Sequence, residues 1–167
     1  MAKWLIKEEP DHYAWSDLVQ EGRTEWDGVH NALALRHLRA MSPGDEAIVY
    51  HTGEVRACVG LARVTGAPHP DPGEGEGSWS VEVRPLRPLD RPVSLAEIRG
   101  DPAFAGFDLL RISRLSVLPV PEPMWRRILA LAATAPEAGG RPATAASRGR
   151  ARASGRSRRG PARRRRR

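Results

Sequence analysis

Two hydrophobic periods run along this chain. Trp4, Leu5 and Ile6 form a short apolar run that Pro10 stops, which predicts a first strand over residues 4–7. Residues 13–20 place Trp15 and Leu18 on one side and meet Gly22, a helix followed by its stop. Trp26-Asp27-Gly28-Val29 has the chemistry of a turn. Over residues 31–41, Leu35, Leu38 and Met41 recur at i, i+3 and i+6, so a second helix is predicted, ended by Ser42-Pro43-Gly44-Asp45.

Three strand candidates follow. Residues 46–51 are apolar in their middle, and residues 57–65 carry Val59, Leu61 and Val64 among small residues. Residues 78–86 alternate with period two, Trp79, Val81 and Val83 against Ser80, Glu82 and Arg84. Residues 66–77, between the last two, are rich in Pro, Gly and acids and read as a loop. Ser94-Leu95-Ala96-Glu97 has the loose form of a capping box and opens a short helix ending near Gly100. Residues 115–120 predict a last strand. Residues 122–133 predict a closing helix with Trp125, Ile128, Leu129 and Ala132 along one face. Short strands without regular helical crossovers favour a small α+β barrel-like domain over a parallel sheet.

Beyond residue 134 the periodicity stops and Ala, Gly, Pro, Ser and Arg dominate. Such a segment has too little apolar surface to offset its ordering entropy. Residues 1–134 are therefore predicted to be one folded domain and residues 135–167 a disordered tail. The charge divides along the same line. Residues 141–167 hold 12 arginines and no acid; removing these 12 from the 27 Lys+Arg leaves 15 against 20 Asp+Glu, a formal net of −5. The high pI thus belongs to the tail, and a mildly acidic body can meet a polyanion only through a local site. The single cysteine, Cys58, lies in an apolar run and excludes a disulfide framework or a cysteine-based zinc site. The N-terminus has no signal-peptide pattern, and no apolar run approaches the roughly 20 residues of a membrane span. A cytoplasmic monomer, with nucleoid association open, is the expectation, with no membrane partner.

Five blocks occur in a telling order: Trp4-Leu5-Ile6-Lys7-Glu8-Glu9-Pro10, Trp26-Asp27-Gly28-Val29-His30-Asn31, residues 38–45 leading into Tyr50-His51-Thr52, Arg91-Pro92-Val93-Ser94-Leu95, and Ser113-Arg114-Leu115-Ser116-Val117. Together they resemble the EVE domain family, from about Lys3 to Leu131. The resemblance implies a PUA-like fold, a compact mixed β-barrel with peripheral helices. It also implies a non-catalytic module that binds a modified base in DNA or RNA, modified cytosine foremost. The chain departs from the family pattern at Glu8, His30, Leu33, Leu35, Arg36, Thr52 and Gly53.

A base reader needs a slot with apolar or aromatic walls and a few polar groups on the base edge. Within the matched blocks, Trp26 and Tyr50 are candidates to stack on a base, worth about 1–3 kcal/mol. Asn31 offers a donor and an acceptor on one plane. Lys7, His51 and Arg114 suit phosphate or carbonyl oxygens, and Thr52 and Ser116 supply hydroxyls. Glu9 and Val29 complete the candidate set. Structural roles stand beside these: Trp26 as core, Asn31 as a helix cap, His51 as a satisfied strand-end histidine, Lys7 paired with Glu8 or Glu9, and Arg114 and Ser116 holding a strand. Trp4, Trp15, Trp79 and Trp125 read as core or core-edge, and His12, His37 and His69 as exposed. No His/Asp/Glu cluster has metal-ligand spacing, and no cofactor is expected. Two other classes remain open: an enzyme using Lys7, Glu9, Tyr50 and His51 as acid and base, and an adaptor acting mainly through its tail.

Overall fold

Three consecutive large apolar residues oblige both faces of a strand to be covered. Accordingly β1 (Lys3–Glu8) lies inside a sheet, parallel to β3 (Glu46–His51) and antiparallel to β7 (Val117–Pro119). The structure, a computed structural model, describes residues 1–134; the predicted basic tail lies outside the described residues. From β3 the sheet continues antiparallel through β4 (Ala57–Val64) and β6 (Trp79–Ser94) to β2 (Thr24–Trp26), giving the order β2-β6-β4-β3-β1-β7. The two-residue β5 (His69–Pro70) pairs with the start of β6. This mixed sheet curls into a half-barrel. Around it stand α1 (Trp15–Glu21), α2 (Ala32–Arg39), α3 (Leu95–Gly100), α4 (Asp108–Arg111) and α5 (Glu122–Ala133). Leu5, Ile48, Val81, Phe104, Leu118 and Ile128 are fully buried at its centre.

Local chemistry sets most boundaries. Asn31 Oδ1 accepts from the backbone N–H of Leu33 and Ala34, both at 3.0 Å, and so caps α2. Ser94 and Glu97 form a full reciprocal capping box at α3: Ser94 Oγ accepts from Glu97 N, and Glu97 Oε2 from Ser94 N. Gly22, at φ 75°, closes α1 in the left-handed region, its N–H donating to the Leu18 carbonyl. The buried carboxylate of Asp45 accepts from Trp4 Nε1 at 3.0 Å and from the backbone N–H of Ala2 and Ser42, which satisfies it.

Three elements differ from the sequence pattern. Strand β6 does not end at Leu86 but runs on to Ser94 through Pro85, Pro88 and Pro92. Its pairing with β2 covers only Val81–Val83, so the far edge is open beyond that point. The register against β4 also shifts twice, and prolines are tolerated at such edges and bulges. Trp26 is not in a turn; it ends β2 opposite Val81, and the turn follows at Gly28, φ 69°. The loop over residues 66–77 contains β5 and a single 3-10 turn, Pro72–Glu74. Among the described residues no helix is long and apolar enough to cross a membrane.

Candidate functional site

The parallel register of β1 and β3 aligns Lys7 with Tyr50 and Glu8 with His51. The two strands therefore release their next residues at the same end of the sheet, where the backbone N–H of Thr52 donates to the Glu8 carbonyl at 3.1 Å. The segment before β7 returns to this end. Lys7 N donates to the Ser116 carbonyl at 2.9 Å, and Lys7 Nζ to the Ser113 carbonyl at 3.1 Å. Between these pieces lies an open cleft of about 380 Å³ lined by Lys7, Glu8, Glu9, His12, Thr52, Ser113, Arg114 and Ser116.

The ten predicted site residues divide into two groups. Lys7, Glu9, Thr52, Arg114 and Ser116 share the cleft although up to 109 positions separate them in sequence. The other five do not line it. Tyr50 is 3 % exposed beneath Lys7, whose Nζ sits 5.8 Å from the ring centre. His51 is 8 % exposed, and its Nε2 accepts the backbone N–H of Trp15 at 3.0 Å. That bond assigns the ring proton to Nδ1. Trp26 is 5 % exposed and meets Tyr13 edge-on at 6.4 Å between centroids; Val29 is buried as well. The Asn31 carbonyl oxygen is engaged in the helix cap, which leaves its amide nitrogen.

Electrostatics differ from side to side. Burial lowers the Lys7 pKa and raises that of Glu8. Burial also pushes Tyr50 up to about 12 and lowers His51. Asp27, in the turn after β2, is raised to about 6, first by burial and then by the charges of Glu74 and Asp71, with Glu8 adding to them. Glu8, His12, Ser113 and Asp27 were absent from the predicted set. His12 had only its spacing as a signal: four residues after Glu8, it comes within 3.8 Å of that carboxylate.

A second hollow, about 410 Å³, lies at the opposite end of β1. Its charged side chains are all engaged, Lys3 with Glu46, Asp108 with Arg111 and Glu122 with Arg126, so it offers an anion little. A Ser-His-Glu grouping joins β5, β6 and β2. Ser80 Oγ lies 3.1 Å from His69 Nε2, and Glu25 Oε2 lies 3.6 Å from the same nitrogen. A nucleophile relay needs the acid on the other ring nitrogen, and here that nitrogen faces the Ala67 carbonyl at 3.2 Å. Ser80 is also 1 % exposed. Cys58 is fully buried and its thiol is raised to about 12 by burial, far from a nucleophile's range. Among the described residues, no group of three or more His, Cys, Asp or Glu is placed to hold a metal ion.

Thymocyte nuclear protein 1 of the rat is 31 % identical over 164 residues, an alignment covering 77 % of this chain and 72 % of that protein. A crystal structure from Agrobacterium tumefaciens is 33 % identical with a TM-score of 0.76, covering 80 % of this chain and 94 % of that one. The human THYN1 protein, crystallised in complex with DNA containing 5-methylcytosine, is 25 % identical with a TM-score of 0.74. That match covers 81 % of this chain and all of the other. The fold is the PUA-like one that the sequence resemblance implied. Residues 2–131 match the EVE domain model, and the chain belongs to the EVE domain family.

Proposed function

We propose that this protein is a non-catalytic nucleic-acid-binding module whose cleft receives a modified cytosine, with DNA as the first carrier to test. One observation carries the reading. Residues from three separate blocks of the family pattern, 7–9, 52 and 113–116, converge on one solvent-open cleft with a lysine, an arginine and three hydroxyls. A structural relative is bound to DNA containing 5-methylcytosine. The cleft presents no Trp, Tyr or Phe, so the planes available to a base face are the His12 imidazole, 75 % exposed, and the Arg114 guanidinium. Both groups serve as stacking platforms in nucleic-acid sites. The arginine-rich tail adds phosphate attraction without base selectivity. The absence of catalysis is part of the proposal, supported by the geometry around Ser80 and by the inert Cys58.

The test is binding of the full chain and of residues 1–140 to matched oligonucleotides bearing cytosine, 5-methylcytosine or 5-hydroxymethylcytosine, at two salt concentrations. The expected result is a preference for one modified base in both proteins, about 1–3 kcal/mol for a single methyl-sized difference. The shorter protein should bind more weakly and with a shallower salt dependence. Equal binding to every oligonucleotide, seen only with the tail present, would refute the reader assignment.

A further inference from the structure

The cations of the body are unevenly committed. Eight of the fifteen Lys and Arg residues within residues 1–134 lie within 4 Å of a carboxylate. Four that form no such pair among the described residues, Lys7, Arg114, Arg56 and Arg99, stand in the cleft wall or on the turn and helix that adjoin it. Lys7 and Arg114 line it. Thr52, also in its wall, leads into the β3–β4 turn, where Arg56 Nε donates to the Gly53 carbonyl at 3.0 Å. The Arg56 carbonyl in turn accepts the backbone N–H of Leu95 at 2.8 Å, which docks the turn on α3. Arg99 stands one helical turn beyond Leu95. Both Arg56 and Arg99 act electrostatically on the Tyr50 phenol, the ring under Lys7, which brings these three charges near one ring.

Arg56 has a further peculiarity. At φ 46° it is the one non-glycine among the described residues in the left-handed region, a conformation that costs roughly 1–2 kcal/mol. A backbone held against its preference at an exposed turn points to a function for the side chain it presents. Carboxylates gather near the same cleft: Glu8 in its wall, together with Glu74 and Asp71, raises the charge density felt by Asp27.

We propose that Lys7, Arg114, Arg56 and Arg99 form a phosphate track that carries the backbone of the bound strand along the β3–β4 turn and α3. The carboxylates around Asp27 repel that backbone and leave the cationic run as its path. This assignment rests on the nucleic-acid reading of the cleft and adds to it two residues, Arg56 and Arg99, and a direction for the strand. In an acidic body this local run of free cations is what fixes the position of a polyanion.

The experiment titrates full-length protein against a short fluorescent DNA strand carrying one 5-methylcytosine, and against its cytosine counterpart, over a series of potassium chloride concentrations. Proteins compared are wild type, Arg56→Gln/Arg99→Gln, Arg56→Lys/Arg99→Lys, and Lys7→Gln/Arg114→Gln. Loss of two phosphate contacts should make the slope of log K against log salt shallower by about 1.4 on single strands or 1.8 on duplex. The ratio of methylcytosine to cytosine binding should stay unchanged, and the lysine pair should retain the wild-type slope. If the Arg56/Arg99 glutamine variant keeps the wild-type slope while the Lys7/Arg114 variant loses it, the track is wrong and the cleft reading survives. A lysine pair as weak as the glutamine pair would show a structural role and overturn the track. Wild-type protein that binds neither strand, or that all three variants leave unaffected, would overturn both readings.

Discussion

Trp26 decides between two pictures of the site. An indole on a cleft wall would lose base binding and little stability on truncation; the structure instead puts the ring in the core, 5 % exposed and edge-on to Tyr13. A buried indole removes about 150–250 Å² from water. At about 25 cal/mol per Å² that area is worth about 4–6 kcal/mol, and measured Trp→Ala costs of about 3–5 kcal/mol agree. The edge-to-face pair with Tyr13 adds about 0.5–1.5 kcal/mol. Native domains have about 5–15 kcal/mol in hand, so Trp26→Ala should cost about 3–5 kcal/mol and bring the domain close to its limit. Urea unfolding followed by tryptophan fluorescence and circular dichroism measures this directly, and Trp26→Phe, which keeps an aromatic edge, should show less than half of the loss. A Trp26→Ala protein that unfolds within about 1 kcal/mol of wild type would refute a core role for the indole. Should that stable variant also lose base preference, the indole belongs to the ligand and not to the core.

Other outcomes follow from the same geometry. A Cβ at Gly60 would lie 2.6 Å from the Trp15 ring, so Gly60→Ala should cost about 1–3 kcal/mol; Trp15→Ala should relieve it, giving a non-additive double-mutant cycle in urea unfolding. His51 is held neutral with its pKa lowered from 6.5, so the unfolded chain binds more protons and unfolding free energy rises with pH up to about that value. His51→Gln, which keeps an acceptor for Trp15 N–H, should flatten this rise relative to wild type, with the part due to His37, lowered in the same direction, remaining. Asp27 has the opposite sign: its pKa is raised to about 6 from 3.8, so its stabilising proton is lost as pH rises through that interval. Asp27→Asn should therefore stabilise by a few tenths to about 1 kcal/mol at pH 8 and not at pH 4, as paired thermal melts would show. His12→Ala should weaken oligonucleotide binding by about 1–3 kcal/mol if its ring stacks on the base, with an unchanged melting temperature.

Much of the fold was legible because its signals are local. The consecutive apolar residues of β1, the Asn31 cap and the Ser94/Glu97 box each act within a few positions, and each holds in the structure. The continuation of β6 to Ser94 was hidden because the period-two alternation ends by Leu86, and Pro88 and Pro92 interrupt the residues that follow. Only the short reach of β2 and the two register shifts against β4 make room for them, and those are tertiary facts. The turn expected at Trp26 was one residue early for the same reason: pairing with Val81 outweighs the turn chemistry that begins at Asp27.

The site was legible as a set of blocks and not as a set of side chains. Assigning Trp26 and Tyr50 to base stacking used the general preference of bases for aromatic faces. In a chain of 167 residues with 5 tryptophans and 2 tyrosines, those same rings are also the largest apolar areas available to the core. The β2–β6 pairing and the β1–β3 register decide the competition, and both rings end up inside. What reaches the cleft is what the core does not take: the amine of Lys7, the guanidinium of Arg114, the hydroxyls of Thr52, Ser113 and Ser116, and the ring of His12. Arg56 and Arg99 look like ordinary surface arginines in sequence. Their interest arises only when the Leu95 to Arg56 hydrogen bond brings the β3–β4 turn to α3 and leaves both charges without a carboxylate among the described residues. A site of this kind is built from polar residues with weak individual signals, so its recognition depends on where the backbone assembles them. The aromatic residues report on the core, and the unpaired cations report on the ligand.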